Sequence, residues 1–159
     1  MTQPQDNSVL VELAKQQADK VMSKIPLLGA VSWLMMQQSA TRHTLLSELE
    51  WRVMPPLMLD QAKLYMRDKA PLAYVSWAYL SEDAAKRYQQ APHHLMPSDW
   101  KSGEQVWIVD LCTPFGGVQE VLKDLREGVF KGREVHQFTL GSEGKIVPMI
   151  WSTVAKQEA

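Results

Sequence analysis

The sequence has few of the features that mark specialised classes of protein. A single cysteine, Cys112, leaves no partner for an internal disulfide, which fits a reducing compartment. The 17 basic and 18 acidic residues are scattered without long runs and give a formal net charge of −1. This balance disfavours a surface built to bind nucleic acid or an anionic membrane.

Long apolar segments are also missing. No apolar run reaches the ~18 residues of a membrane span, and the nearest, residues 26–36, is interrupted by Gly29 and Ser32. The first seven residues are polar and show no basic segment followed by an apolar stretch, so no secretory signal is visible. We therefore expect a soluble protein in the cytoplasm without a membrane span.

What the sequence does have is the composition of one packed domain. It contains 159 residues, of which 45% are hydrophobic and 22% charged, close to the average for soluble proteins. A chain of this length buries most of the surface that its unfolded form exposes. We see no repeat or domain boundary, and we expect a single domain over 1–159 with loose ends at 1–7 and 153–159.

Periodicity predicts helices first and then strands with helices between them. Apolar residues recur at spacings of three and four before Pro26, which is expected to end the first helix, and before the Pro55-Pro56 pair. The predicted helices cover 7–25, 28–38, 45–51, 81–88 and 118–130. The predicted strands cover 62–66, 72–80, 106–112, 135–140 and 146–151, with 106–112 at the centre. The fold class is therefore α+β, a mixed sheet flanked by helices.

Asp110 lies near the end of the predicted central strand. An ionised carboxylate is costly to bury in an apolar strand unless something pairs with it. Either Asp110 lies just past the sheet edge and accepts backbone hydrogen bonds from the following turn, or it takes part in chemistry. The residues alone leave both interpretations open.

A glycine turn follows the same strand. Gly116 and Gly117 precede a predicted helix, where free N–H groups and the helix dipole favour anions. Turns of this kind hold pantetheine or pyrophosphate groups, and they also occur as ordinary connections between a strand and a helix. Gly116 and Gly117 are the candidate cofactor-binding residues.

Histidines and the cysteine are the remaining candidates for chemistry. His43 lies in a polar break between two helical segments, a good place for a group that meets substrate. His93 and His94 lie in a proline-flanked loop without cysteine or carboxylate at ligand spacing, so we expect exposed loop residues and no metal site. His136 is expected on the surface of an edge strand, and Cys112 is expected to be a buried, inert thiol.

Three blocks of sequence resemble the RTX toxin-activating lysine acyltransferases, which include the hemolysin activators. They are residues 28–34 (LGAVSWL), 72–78 (LAYVSWA) and 106–110 (VWIVD), the last followed by Pro114-Phe115-Gly116. The order and spacing of the blocks agree with that family, and the resemblance extends over about residues 27–130. Further similarity occurs at 101–103.

The resemblance implies a fold similar to the N-acetyltransferase (GNAT) superfamily and no tightly bound cofactor. It implies acyl-acyl carrier protein as the donor, internal lysines of an RTX protoxin as the acceptor, and a homodimer. The apolar acyl chain needs a slot, which methionines such as Met35, Met36, Met54 and Met58 are suited to line, although their helical spacing equally predicts ordinary core.

The family pairs a histidine near its first helix with an aspartate in the third block. The aspartate corresponds to Asp110, but a gapless register places Thr41 where the histidine is expected, with His43 two residues on. Either the backbone turns His43 into the site, or another group supplies the base, or the chain is inactive; we favour the first. A neutral imidazole oriented by a carboxylate would take the proton that a lysine amine must lose before it attacks a thioester.

His43 and Asp110 are thus the candidate catalytic residues. A catalytically inactive, GNAT-like binding protein for a toxin or carrier protein is the main rival, because Thr41 cannot act as a base. A small-molecule acetyltransferase using acetyl-CoA is disfavoured, because the usual longer glycine-rich pyrophosphate loop is missing.

Overall fold

The computed structural model describes residues 4–151, with side chains from Asn7 onward. Within these residues the chain forms five helices and five strands. The helices are α1 (Pro4–Gln37), α2 (Leu46–Arg52), α3 (Met54–Met58), α4 (Glu82–Tyr88) and α5 (Val118–Glu127). The strands are β1 (Ala62–Arg67), β2 (Ala70–Leu80), β3 (Gln105–Cys112), β4 (Val135–Leu140) and β5 (Ile146–Trp151).

The strands form one mixed sheet in the order β1-β2-β3-β4-β5. All neighbours are antiparallel except β3 and β4, which run parallel. The α+β class with helices against a mixed sheet is confirmed, as is the central position of β3. The predicted loose ends fall largely outside the described residues, so that prediction stays untested.

The central strands β2 and β3 are covered on both faces, because their alternate residues point in opposite directions and helices pack on each side. On one face, Val75, Trp77 and Ile108 pack with Leu125 of α5. On the other face, Tyr74 and Cys112 pack with α1 and α3, while Leu80 and Trp107 pack around α4. Of the helices that the structure describes, none has the length and apolar character needed to span a bilayer.

The start of the chain corrects the sequence prediction. Pro26 does not end a helix but lies inside α1, which continues for eleven further residues to Gln37. A proline inside a helix costs about 3 kcal/mol. Val31 and Leu34, in the turns that follow, are fully buried against the sheet, and burial of each contributes about 1.5–3 kcal/mol, which offsets that cost.

Two smaller corrections concern the proline pair and His136. Pro55 and Pro56 lie in the first turn of α3, where a missing N–H costs little, so they begin a short helix that was not predicted. His136 does not lie on an edge strand, because β5 covers β4. Its side chain is 16% exposed and its ring stacks on Trp107 at 4.9 Å.

Candidate active site

A cleft opens where β3 and β4 separate. The parallel ladder begins at Val106 with Val135 and ends at Ile108 with Gln137, and no further pair joins the two strands in the described residues. A cavity of about 230 Å³ fills the opening beyond the ladder. It is lined by Ile108 to Leu111 of β3, Gln137 and Phe138 of β4, and Thr41 and Arg52 from the helical layer. We call it the Asp110 cavity.

The edge of β3 is irregular at this cleft. Ser76 pairs with Asp110 and Trp77 pairs with Ile108, so Val109 is an extra residue that forms a β-bulge. A bulge increases the local twist and changes the direction in which neighbouring side chains point. Asp110 thus leaves the regular pleat at the place where β3 loses its contact with β4.

Asp110 is held by an arginine that the sequence prediction did not consider. Its side chain is 6% exposed, and Arg52, the last residue of α2, binds it through both forks of the guanidinium. Arg52 Nε donates to both carboxylate oxygens at 2.9 Å, and Nη2 donates to Oδ1 at 2.6 Å. In the described residues no backbone group of the following turn donates to this carboxylate, so the alternative of a turn-capping aspartate is wrong.

The pair stabilises the charged form of Arg52. Burial alone lowers the pKa of the Arg52 guanidinium, but the hydrogen bond and charge of Asp110, with the charge of Glu48, raise it above its ordinary value. Removing one partner of such a pair leaves a buried charge uncompensated, which costs about 3–5 kcal/mol. The pair therefore places a fixed carboxylate and a fixed cation together in the cleft.

The structure separates the two residues of the predicted catalytic pair. Thr41 is 7% exposed, lines the Asp110 cavity and donates from Oγ1 to the Met35 carbonyl at 2.8 Å. His43 is exposed and is not among the residues that line this cavity. Among the described residues, His43 makes no hydrogen bond to Asp110. The position that the resemblance assigns to a histidine is thus in the cleft and holds Thr41.

The glycine turn lies at the start of α5, as predicted, but lines a different cavity. Gly116 and Gly117 have φ values of +84° and +82°, which favour glycine. Their cavity of about 380 Å³ is also lined by Arg67 and by the carboxylates of Glu120 and Asp124. It shares no residue with the Asp110 cavity. The structure does not bring the two predicted sets of site residues together.

Cys112 lies two residues beyond Asp110 and is 1% exposed. Burial, and then the negative charge of Asp110, raise the pKa of its thiol to about 11. Because a thiolate is the reactive form, this thiol is inert near neutral pH. The predicted buried, unreactive cysteine agrees with this environment.

Another cavity, of about 240 Å³, is lined by Arg52 of the same ion pair. We call it the His93 cavity, and its lining includes His93 and His94 from the loop after α4. Arg52 and Val109 line both cavities and form the shared wall between them. Sequence reasoning missed Arg52, because a lone basic residue on a short helix has no periodic signal. It expected both histidines to be exposed, which is right for His94 but wrong for His93, whose side chain is half-buried. No cluster of three potential metal ligands occurs within residues 4–151.

Comparison with known proteins agrees with the resemblance in the three sequence blocks. The profile of the RTX toxin acyltransferase family matches residues 20–151. The leukotoxin-activating lysine-acyltransferase LtxC of Aggregatibacter actinomycetemcomitans is 34% identical over 84% of this chain and 80% of its own length. The lysine-acyltransferase RtxC of Vibrio cholerae is 30% identical over 76% of this chain and 80% of its own.

A third relative is the protein-lysine myristoyltransferase HlyC of Escherichia coli, which is 34% identical over 65% of this chain and 61% of its own. The family match covers β1 to β5 and the second half of α1, and therefore includes Arg52, Asp110 and both cavities. The predicted acyltransferase class is confirmed at the level of the family. The chain belongs to the RTX toxin acyltransferase family.

Proposed function

We propose that this protein transfers a fatty acyl chain from acyl-acyl carrier protein to internal lysines of an RTX protoxin and so activates the toxin. The observation that carries the proposal is the buried Asp110 carboxylate, held by Arg52 in the cleft between β3 and β4 of a family member. The proposed reaction needs no tightly bound cofactor, because the acyl carrier protein carries the acyl chain on its own phosphopantetheine arm.

The parted strands suit such a donor. The backbone groups along β3 and β4 beyond the ladder are available to pair with an extended, amide-containing pantetheine arm. The Asp110 cavity is lined by the apolar side chains of Ile108 and Phe138 as well as by the ion pair. A thioester placed there would lie beside the Arg52 guanidinium, whose N–H groups can donate hydrogen bonds to the oxyanion formed on attack.

The acyl chain would extend from the thioester past Thr41. A further cavity, of about 230 Å³, shares Thr41 with the Asp110 cavity and is lined by Met35, Met36 and Leu49. Met and Leu side chains adapt to the shape of a flexible chain. Thr41, which is smaller than a histidine, leaves more room at the junction of the two cavities.

The roles assigned from the sequence stay predictions. Asp110 as a catalytic residue is supported by its burial in the cleft, whereas His43 as the base requires its exposed ring to turn towards that cleft. Backbone N–H groups of Gly116 and Gly117 as a pantetheine site require the carrier arm to reach a separate cavity. A homodimer, acyl carrier protein as partner and a cytoplasmic location belong to the same proposal.

The main alternative is a binding protein that retains the fold without activity. It is favoured by Thr41 in the cleft and by the three hydrogen bonds that Arg52 donates to the Asp110 carboxylate, which leave fewer acceptor positions for an imidazole. Such a protein would bind a toxin or a carrier protein without acyl transfer. The two functions differ in whether the toxin gains mass.

The deciding experiment is mass spectrometry of an RTX protoxin co-expressed with this protein in cells that supply acyl carrier protein. We expect lysines acylated with wild type and unmodified lysines with Asp110→Ala. Co-purification of an unmodified toxin with wild type would support the binding protein instead. Light scattering of the purified protein separates a dimer from a monomer.

A further inference from the structure

The His93 cavity lies on the far side of Arg52 and Val109 from the cleft. The ring of His93 also contacts Phe138 at 4.9 Å between centroids, and Phe138 lines the Asp110 cavity. His93 therefore adjoins both compartments, while His43 lines neither of them.

One hydrogen bond fixes the tautomer of His93. Its Nδ1 lies 2.9 Å from the Tyr88 carbonyl oxygen, which can only accept. Nδ1 therefore carries the hydrogen, and the neutral ring presents an unprotonated Nε2. This is the arrangement that a general base needs, with a carbonyl in the orienting role that a carboxylate often fills.

The other loop and helix-end histidines lack this arrangement. His94 is exposed and stacks on Trp51 at 4.4 Å, and His43 is exposed. In the described part of the chain, no hydrogen bond orients either ring. The backbone of His93 has a φ of +61°, a region that a few per cent of residues other than glycine occupy, with histidine among the more frequent of them. The loop thus holds His93 in an unusual backbone conformation with an oriented ring.

We propose that His93 is the base that takes the proton from the acceptor lysine, which enters through the His93 cavity while the thioester lies in the Asp110 cavity. The proposal rests on the proposed acyl transfer and assigns a residue to it. The two substrates then meet where the two cavities adjoin, beside Arg52 and Val109. Asp110 neutralises Arg52, so the imidazolium forms beside a pair without net charge.

The step balances with the groups named. The lysine ammonium gives one proton to Nε2 of His93, which releases it to water, and the free amine nitrogen attacks the thioester carbonyl carbon. The C–N bond forms, the C–S bond breaks, and the second amine proton passes to the pantetheine thiolate. The products are the acyl-lysine amide, the free carrier thiol and one proton.

The test uses His93→Asn in the purified full-length protein, with acyl-acyl carrier protein as donor and an RTX protoxin as acceptor. Asparagine tolerates a positive φ and keeps a donor for the Tyr88 carbonyl, but it has no basic nitrogen. We expect the single-turnover rate of acyl transfer to fall about 100-fold or more, with unchanged binding of the acyl carrier. His93→Gly also tolerates the backbone, and imidazole in the buffer is expected to restore part of its rate.

His43→Asn tests the rival candidate for the base, and if His93 is the base, its rate is expected to fall far less than that of His93→Asn. A wild-type rate in His93→Asn, or a loss of rate confined to His43→Asn, would overturn the assignment of His93 as the base and leave the proposed acyl transfer standing. If the wild-type protein transfers no acyl chain, both the proposed acyl transfer and the role of His93 in it are wrong. Melting temperatures of all variants show whether a loss of rate reflects unfolding.

Discussion

Within the described residues, two buried aspartates are paired with arginines, and one of these pairs lies in the cleft. Asp110 with Arg52 and Asp99 with Arg87 share the same chemistry, with both carboxylates 6% exposed and Nη2 within 2.8 Å of Oδ1 in each pair. Their surroundings differ. Arg87 is 54% exposed, whereas Arg52 is 22% exposed and lies between two cavities.

The difference lies in what else satisfies each carboxylate. Asp99 also accepts the Met96 N–H at 2.9 Å, so its own loop holds it in place. Burial alone raises the pKa of Asp99, but the hydrogen bonds from Arg87 and Met96 outweigh it and hold the pKa below its ordinary value. In the described residues the Asp110 carboxylate accepts hydrogen bonds from Arg52 alone. A carboxylate satisfied by its own turn serves the fold, while one satisfied across a cavity is open to a substrate.

The largest expected effect separates the two pairs by activity. Asp110→Asn removes the charge from the cleft at almost unchanged volume and is expected to lower the rate of acyl-lysine formation about 100-fold or more. Asp99→Asn removes an equally buried charge outside the cleft and is expected to keep the rate within about threefold at temperatures where it is folded. Both rates are measured by mass spectrometry of the toxin. Equal losses would make Asp110 a structural residue like Asp99.

The second effect separates the pairs by stability. Arg52→Met leaves the Asp110 carboxylate buried without its partner and is expected to lower the free energy of unfolding by about 3–5 kcal/mol. Arg87→Met is expected to cost less, because Arg87 is largely in water and the Met96 N–H still binds Asp99. Urea denaturation followed by tryptophan fluorescence measures both.

A matched double variant tests why Arg52→Met loses stability. Arg52→Met combined with Asp110→Leu removes both charges, and much of the lost stability is expected to return. If the double variant is no more stable than Arg52→Met, the cost comes from lost packing of the arginine and not from an unpaired charge.

A third, smaller effect concerns acid. Because the folded pKa of Asp99 is depressed, its ion pair stabilises the fold above the ordinary aspartate pKa of about 3.9, and this contribution is lost as pH falls through the folded pKa. The urea midpoint of wild type is expected to fall more steeply below that pH than the midpoint of Asp99→Asn. Parallel curves would show that this pair contributes no pH-dependent stability.

The sequence predicted the sheet better than the site. Strands β3, β4 and β5 coincide with short apolar segments that are visible in the local sequence, and their predicted bounds agree with the structure to within a residue. Pro26 was misread because long-range burial of Val31 and Leu34 decides the course of α1. Arg52 was missed because it lies 58 residues from Asp110, a separation over which no local pattern acts.

The resemblance gave Asp110 and the position of Thr41, and the fold explains why both are in one cavity. The His93 loop carries no such signal, since only the packing of α4 and the loop against β3 and β4 brings it to the shared wall. Residues in loops reach a site through the tertiary fold, so periodicity does not reveal them.

The smallest expected effect asks whether the chemistry of the cleft depends on the ion pair or on the thiol beside it. Cys112→Ala removes a buried thiol whose pKa of about 11 keeps it protonated near neutral pH, and the rate of acyl transfer is expected to stay within about twofold. The control is alkylation of folded wild type by iodoacetamide, which is expected to be slow at pH 7 and fast after unfolding. A 100-fold loss of rate in Cys112→Ala, or a thioester trapped on Cys112, would indicate that the acyl chain is first transferred to Cys112. The Arg52–Asp110 pair would then serve a covalent intermediate and not direct attack by the lysine.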